Sequence, residues 1–220
     1  MPRVDAVLFD LDGTLVDSAP DLAGAANDLR AARGLPLLPY EDLRPMVGTG
    51  ARGMLGAAFG IAPDDANYDA LRDEFLACYE QRLLRETVVF MSMLPVLEHL
   101  DATSMPWGIV TNKALRFAEP LVSGLALRSR AAVLLGGDST PYSKPHPEPL
   151  FEAARRLGIE PSRCVYVGDD HRDIVAGRAA GMATLAAAWG YLGRGEAIDA
   201  WGADAVIGDP RDLLQWLEVA

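Results

Sequence analysis

Residues 4–17 read VDAVLFDLDGTLVD. The apolar run Val7-Leu8-Phe9 stops at Asp10, and a second acid, Asp12, follows just ahead of Gly13 and Thr14. A β-branched and apolar run bounded by a Gly-containing turn predicts a buried strand over Val4–Asp10. An unpaired carboxylate is costly to bury, so acids ending such a strand belong at its mouth or beside a cation. In an open α/β sheet that mouth is where ligands bind. Asp10 and Asp12 are expected on the same side of the extended chain. Two carboxylates there can divide labour, one attacking or binding metal and the other moving protons. The same letters also suit a plain acidic turn, because Asp and Gly are ordinary turn residues.

Outward from this strand the pattern turns helical. Asp17 or Ser18 can cap a helix with Leu22, Ala25, Ala26 and Leu29 on one face, closed by Gly34-Leu35-Pro36. After Glu41-Asp42-Leu43 and the turn 47–50, a helix is expected from Ala51 to about Phe59, then a long one from Tyr68 to about Arg85. Leu71, Phe75, Cys78, Tyr79 and Leu83 form the apolar face of the second. Residues 17–85 therefore read as helices with no convincing strand.

From residue 90 strands and helices alternate. Strands are expected at Trp107–Val110, Ala131–Leu135, Cys164–Val167, Ala183–Ala188 and Ala205–Ile207. Helices are expected at 93–100, 115–125 (kinked or split by Pro120), 149–157, 174–180 and 212–219. This alternation predicts an α/β, Rossmann-like, doubly wound parallel sheet with right-handed crossovers. The core would be 1–16 plus 86–220, with 17–85 inserted as a helical cap. Asp10, Thr111, Lys144 and Asp169 all fall at or just after strand C-termini, which share one edge in a parallel sheet.

The chain has 220 residues, half of them hydrophobic, enough for one core domain with an insert. The formal net charge of −11 argues against a nucleic-acid partner. An anionic substrate would need local cations to reverse that field. Cys78 and Cys164 form no spaced pair and read as apolar core residues in a reducing compartment. The opening segment does not read as a signal peptide, and no uncharged apolar run is long enough for a membrane span. The cytoplasm is the expected location, for a monomer or weak dimer. His99, His146 and His171 form no cluster and read as surface or loop residues.

Asp10 and Asp169 are hard oxygen ligands suited to Mg²⁺. Lys144 supplies a compact positive charge, Thr111 a hydroxyl, and Asn112 and Gly13 backbone N–H groups. Together these make a site for a transferring phosphoryl group, with Asp10 as a nucleophile that becomes an aspartyl-phosphate. Thr111 could instead cap the next helix, Lys144 could be a solvated loop lysine, and Asp170 and Asp173 could be acids favoured by a helix dipole.

D-L-D-G-T at 10–14, T-N at 111–112, K-P at 144–145 and G-D-D with Asp173 at 168–173 resemble, in order, the motifs of the haloacid dehalogenase superfamily. The resemblance covers essentially the whole chain, including a cap after the first strand. It implies a nucleophile at Asp10 and a proton donor and acceptor at Asp12, which also lends its backbone carbonyl to the metal. It further implies Thr111 on a phosphate oxygen, Lys144 neutralising nucleophile and phosphate, and Asp169 on Mg²⁺. Asp173 would support the metal's waters or Lys144; Asp170 is less expected to be an acid. The second acid and the metal-site acids point to the phosphatase branch and away from dehalogenation.

Within the superfamily the chain resembles phosphoglycolate phosphatases and, more closely, N-acetylmuramic acid 6-phosphate phosphatases. The resemblance rests on G-A-R-x-M at 50–54, R-F-A-E-P at 116–120, S-K-P-x-P-E-P-L at 143–150, V-G-D-D-x-R-D-I at 167–174 and W-G-A-D at 201–204. Arg52 is a candidate for a substrate carboxylate, or an exposed helix arginine. Ser92 and His146 depart from the common Gly and Asp. A sugar phosphomutase and a non-catalytic metal-binding module remain rival readings.

Overall fold

The computed structural model describes residues 3–219. Six strands form one parallel sheet: β1 Ala6–Phe9, β4 Trp107–Val110, β5 Val133–Leu135, β6 Cys164–Gly168, β7 Ala183–Ala187 and β8 Ala205–Ile207. Their order is β5-β4-β1-β6-β7-β8. The chain leaves β1 toward one edge and then returns to build the other, so the order reverses at β1. That reversal opens a crevice beyond the strand C-termini.

β1 is central and wholly buried, which explains its unbroken apolar run. Its alternate residues serve opposite faces: Val7 and Phe9 join one apolar cluster, Ala6 and Leu8 another. Phe9 pairs with Ile109 on one side and Val167 on the other. The register therefore sets Asp10 beside Val110 and Gly168, with Thr111 and Asp169 one step further out.

Between the first two sheet strands the chain is mostly helical, with α1 Ala19–Ala31, α2 Tyr40–Leu43, α3 Gly50–Phe59 and α4 Tyr68–Arg82. The expectation of no strand near this segment fails at its edge. Val16–Asp17 (β2) pairs antiparallel with Val88–Val89 (β3), a ribbon where the chain leaves the sheet and where it returns. Two-residue strands are too short to leave a periodic signal.

The later helices are α5 Leu94–Ala102, α6 Leu115–Gly124, α7 Glu148–Leu157, α8 His171–Ala179 and α9 Asp212–Val219. α6 runs through Pro120 without splitting. α8 starts before Ile174 because Asp170 caps it: Asp170 accepts from the Arg172 N–H and Asp173 accepts from the Asp170 N–H, a closed capping box. Cys164 is buried as expected, while Cys78 is only half-buried and both are free thiols. No helix among the described residues is long and apolar enough to cross a membrane.

Candidate active site

Asp10 leaves the end of β1 with its N–H bonded to the Val167 carbonyl, 2.9 Å away. Its carboxylate is buried and meets Lys144 Nζ at 2.7 Å. Lys144 arrives from the loop before α7 and is itself buried. Nζ also meets Asp173 Oδ1 at 2.7 Å, the Tyr166 hydroxyl at 2.7 Å and the Val110 carbonyl at 3.0 Å. The loop is pinned by Asn112, whose amide donates to the Lys144 carbonyl at 2.8 Å and accepts the Lys144 N–H at 2.9 Å. The Asn112 side chain thus places the lysine, while the residue itself lines the pocket.

Asp169 follows β6. Its two oxygens accept from the Thr14 hydroxyl at 2.8 Å and the Tyr191 N–H at 2.8 Å. Carboxylate oxygens of Asp10, Asp169 and Asp173 lie within 4.8 Å of one another. Lys144 thus pairs with two of these three buried acids, and Asp169 has no cation partner among the described residues. Burial pushes Asp10 up to about 6, against the pull of Lys144, with Asp173 adding to the rise. Burial, and then the charges of Asp10 and Asp173, push Asp169 well above the usual carboxylate range. A divalent cation would settle this excess of negative charge, and the hard oxygen donors suit Mg²⁺. Both Asp173 oxygens are already engaged, by Lys144 and by the Asp170 N–H at 3.1 Å, so Asp173 anchors the lysine.

Asp12 stands apart from the three clustered acids. It accepts from Lys113 Nζ at 2.9 and 3.0 Å and from the Ser18 hydroxyl. Burial pulls Lys113 down, but the Asp12 charge and the nearby Tyr79 hold it above the ordinary ammonium range. Ser18, expected as a helix cap, makes no side-chain cap bond.

Thr111 is buried and lines the pocket; its Oγ1 accepts the Lys113 N–H at 3.1 Å, which leaves its proton for a ligand. Gly13 was expected to offer its N–H to a ligand, but that N–H already donates to the Val16 carbonyl at 2.9 Å. Its φ of +90° and the absence of a Cβ let Asp169 approach, since a Cβ there would overlap that carboxylate. Asp170 is the α8 cap and chelates Arg172, with contacts of 2.8 and 2.9 Å. Burial would raise Asp170, yet the Arg172 guanidinium holds it below the usual range.

Arg52 is exposed and does not line the pocket, although its neighbours Gly50 and Ala51 do. One step along a helix is a turn of about 100°, which carries Arg52 to the outer face. The pocket holds about 400 Å³ between the sheet edge and the helices above it. The helical segment contributes Leu22, residues 47–51, Phe75, Leu76 and Tyr79 to its wall. Arg172 donates to the Gly48 carbonyl, and Arg44 to the Trp189 and Gly190 carbonyls at 3.4 and 3.2 Å. These contacts fasten the helical segment to the sheet on two sides.

Lys113 and Tyr166 are the site residues that sequence reasoning missed. The chain has only two lysines, and both are in this pocket. Every other cation of the Lys and Arg type is an arginine, so lysine scarcity alone marks Lys113.

A family model described as haloacid dehalogenase-like hydrolase matches residues 4–181. An N-acetylmuramic acid 6-phosphate phosphatase of Pseudomonas aeruginosa is 42% identical over 218 residues, covering 99% of this chain and 96% of the relative. A phosphoglycolate phosphatase of Xanthomonas campestris pv. campestris is 46% identical over 211 residues, covering 96% and 95%. A crystal structure of a predicted phosphoglycolate phosphatase from Haemophilus somnus superposes with a TM-score of 0.86 at 27% identity, covering 98% of this chain and 99% of that one. The matched span contains the strand ends that carry Asp10, Thr111 and Asp169 and the loop that carries Lys144, and this chain belongs to the haloacid dehalogenase-like hydrolase family.

Proposed function

We propose that the protein is an Mg²⁺-dependent phosphomonoesterase acting on a small anionic metabolite in the cytoplasm through an aspartyl-phosphate. The observation that carries this reading is the buried Lys144, held 2.7 Å from both Asp10 and Asp173 at the mouth of the sheet. An ammonium group buried among acids at a ligand crevice can neutralise a phosphoryl group and hold the attacking carboxylate in place.

Asp10, Asp169 and the Asp12 backbone carbonyl would hold Mg²⁺. Bound there, the ion would draw charge from the phosphoryl oxygens. Asp10 attacks phosphorus as the ester P–O bond breaks. Asp12, entering this step as the carboxylic acid, gives its proton to the leaving oxygen and becomes the carboxylate. Asp12 then removes a proton from water as that water attacks the aspartyl-phosphate, and the new P–O bond to Asp10 breaks. Phosphate leaves, with Asp10 again the carboxylate and Asp12 again the carboxylic acid. Thr111 and the Asn112 N–H steady the phosphoryl oxygens, and the 17–85 segment acts as a cap that excludes bulk water.

The names of the relatives offer two substrates, N-acetylmuramic acid 6-phosphate and 2-phosphoglycolate. The cavity of about 400 Å³ lies within the range of roughly 300–1,000 Å³ found for small-molecule pockets and admits either compound. Phosphate release from a panel containing both compounds, with and without EDTA, tests the reading. Release that requires Mg²⁺ and vanishes in Asp10→Asn supports it. Isomerisation without release would indicate a mutase, and binding of metal without turnover a non-catalytic module.

A further inference from the structure

One wall of the pocket is a continuous run of cations and aromatic rings. Lys113 Nζ lies 4.7 Å from the Tyr79 ring centroid. Tyr79 packs on Phe117 with centroids 5.6 Å apart. The Arg116 guanidinium covers Phe117 at 4.5 Å. All four residues line the cavity.

The charges of this wall are not equally satisfied. Lys113 is matched by Asp12, Lys144 by Asp10 and Asp173, and Arg172 by Asp170. Arg116 alone among the pocket's cations makes no ion pair among the described residues. Tyr79 adds a second unmet demand. It is 2% exposed, yet its hydroxyl has no hydrogen-bond partner. A buried hydroxyl without a partner is costly, and Tyr79 is part of the cavity lining beside Lys113.

We propose that Arg116 and Tyr79 form a second anion subsite, which takes the carboxylate of a phosphorylated acid while its phosphate sits at Asp10 and Lys144. A guanidinium offers paired donors matched to a carboxylate, and the phenol adds a third donor. The rings of Tyr79 and Phe117 add apolar lining to the same cavity. Arg116 opens R-F-A-E-P at 116–120, and unlike Arg52 it is among the residues lining the pocket. For its phosphate end the proposal rests on the phosphomonoesterase reading.

The test compares N-acetylmuramic acid 6-phosphate with N-acetylglucosamine 6-phosphate, the same aminosugar without the lactyl acid. In Arg116→Gln the ratio of their kcat/KM values should fall roughly 10- to 100-fold, through KM on the acid substrate. Arg116→Lys should recover part of the ratio. Tyr79→Phe should lower it by a smaller factor. An unchanged ratio in Arg116→Gln overturns the subsite.

Calorimetric binding of the same two compounds to Asp10→Asn separates this failure from failure of the phosphatase reading. Absence of phosphate release from every substrate removes the phosphatase reading. The subsite still stands if the acid binds Asp10→Asn more tightly than its neutral counterpart and Asp10→Asn/Arg116→Gln loses that preference. Equal binding, or no binding of either compound, overturns it.

Discussion

The sheet rim and the aromatic wall of the same pocket treat their cations in opposite ways. At the rim, Lys144 is buried and touches Asp10, Asp173, Tyr166 and the Val110 carbonyl. On the wall, Arg116 is exposed and rests on a ring face. The rim is preorganised: its dipoles and charges are in place before any substrate arrives, as phosphoryl transfer requires. Lys113 on the wall is paired with Asp12, but Arg116 leaves its donors open, which is what recognition of a partner needs. On the proposed reading, chemistry and selectivity fall to different parts of one cavity, and each part can be broken separately.

The largest effect on the fold should come from the rim. Lys144→Ala leaves clustered carboxylates without their ammonium group, and loss of one partner from a buried ion pair costs about 3–5 kcal/mol. Denaturant unfolding should show this loss, and added Mg²⁺ should restore part of it. Full stability in the variant would mean that the acids are not held by charge.

A smaller effect follows from Asp10, whose folded value of about 6 lies above its ordinary 3.8. The folded state then binds more protons than the unfolded chain between these values. Unfolding free energy therefore falls as pH rises through that window. Asp10→Asn lacks this liability. Its stability advantage over metal-free wild type should grow from pH 4 to 6, by on the order of 1–3 kcal/mol. Saturating Mg²⁺ should erase the advantage. Paired thermal melts across this range check it; a gap that shrinks with rising pH contradicts the assignment.

The smallest effect is expected outside both regions. Arg52→Gln should leave kcat/KM on N-acetylmuramic acid 6-phosphate within about twofold, as for surface changes away from a site. A large rise in KM would return Arg52 to the pocket and weaken the case for the Arg116 wall.

The same contrast explains what the sequence disclosed. A carboxylate at the end of an apolar strand has few physical explanations, and a parallel sheet gathers all strand C-termini on one edge. Asp10, Thr111, Lys144 and Asp169 could therefore be brought together from sequence alone. Tyr166 was hidden because a tyrosine inside a strand reads as core packing. Gly13 was assigned an N–H donor role, but in a tight turn the missing Cβ mattered more than the amide. In the sequence Arg52 stays open between a substrate carboxylate and an exposed helix face, because sequence position alone does not fix helix rotation; in the structure it is exposed and outside the pocket lining. The β2–β3 ribbon was too short for any periodicity. Lys113 was legible in principle, as one of two lysines in an arginine-rich chain.

The central claim is that Asp10 accepts the phosphoryl group at the rim of the sheet. Acid-quenched turnover of N-acetylmuramic acid 6-phosphate with Mg²⁺, followed by peptide mass spectrometry, tests it directly. A phosphorylated peptide spanning Asp10, absent from Asp10→Asn and from EDTA-treated protein, is the predicted result. Turnover that proceeds with no phosphate ever found on that peptide, and persists in Asp10→Asn, would contradict it.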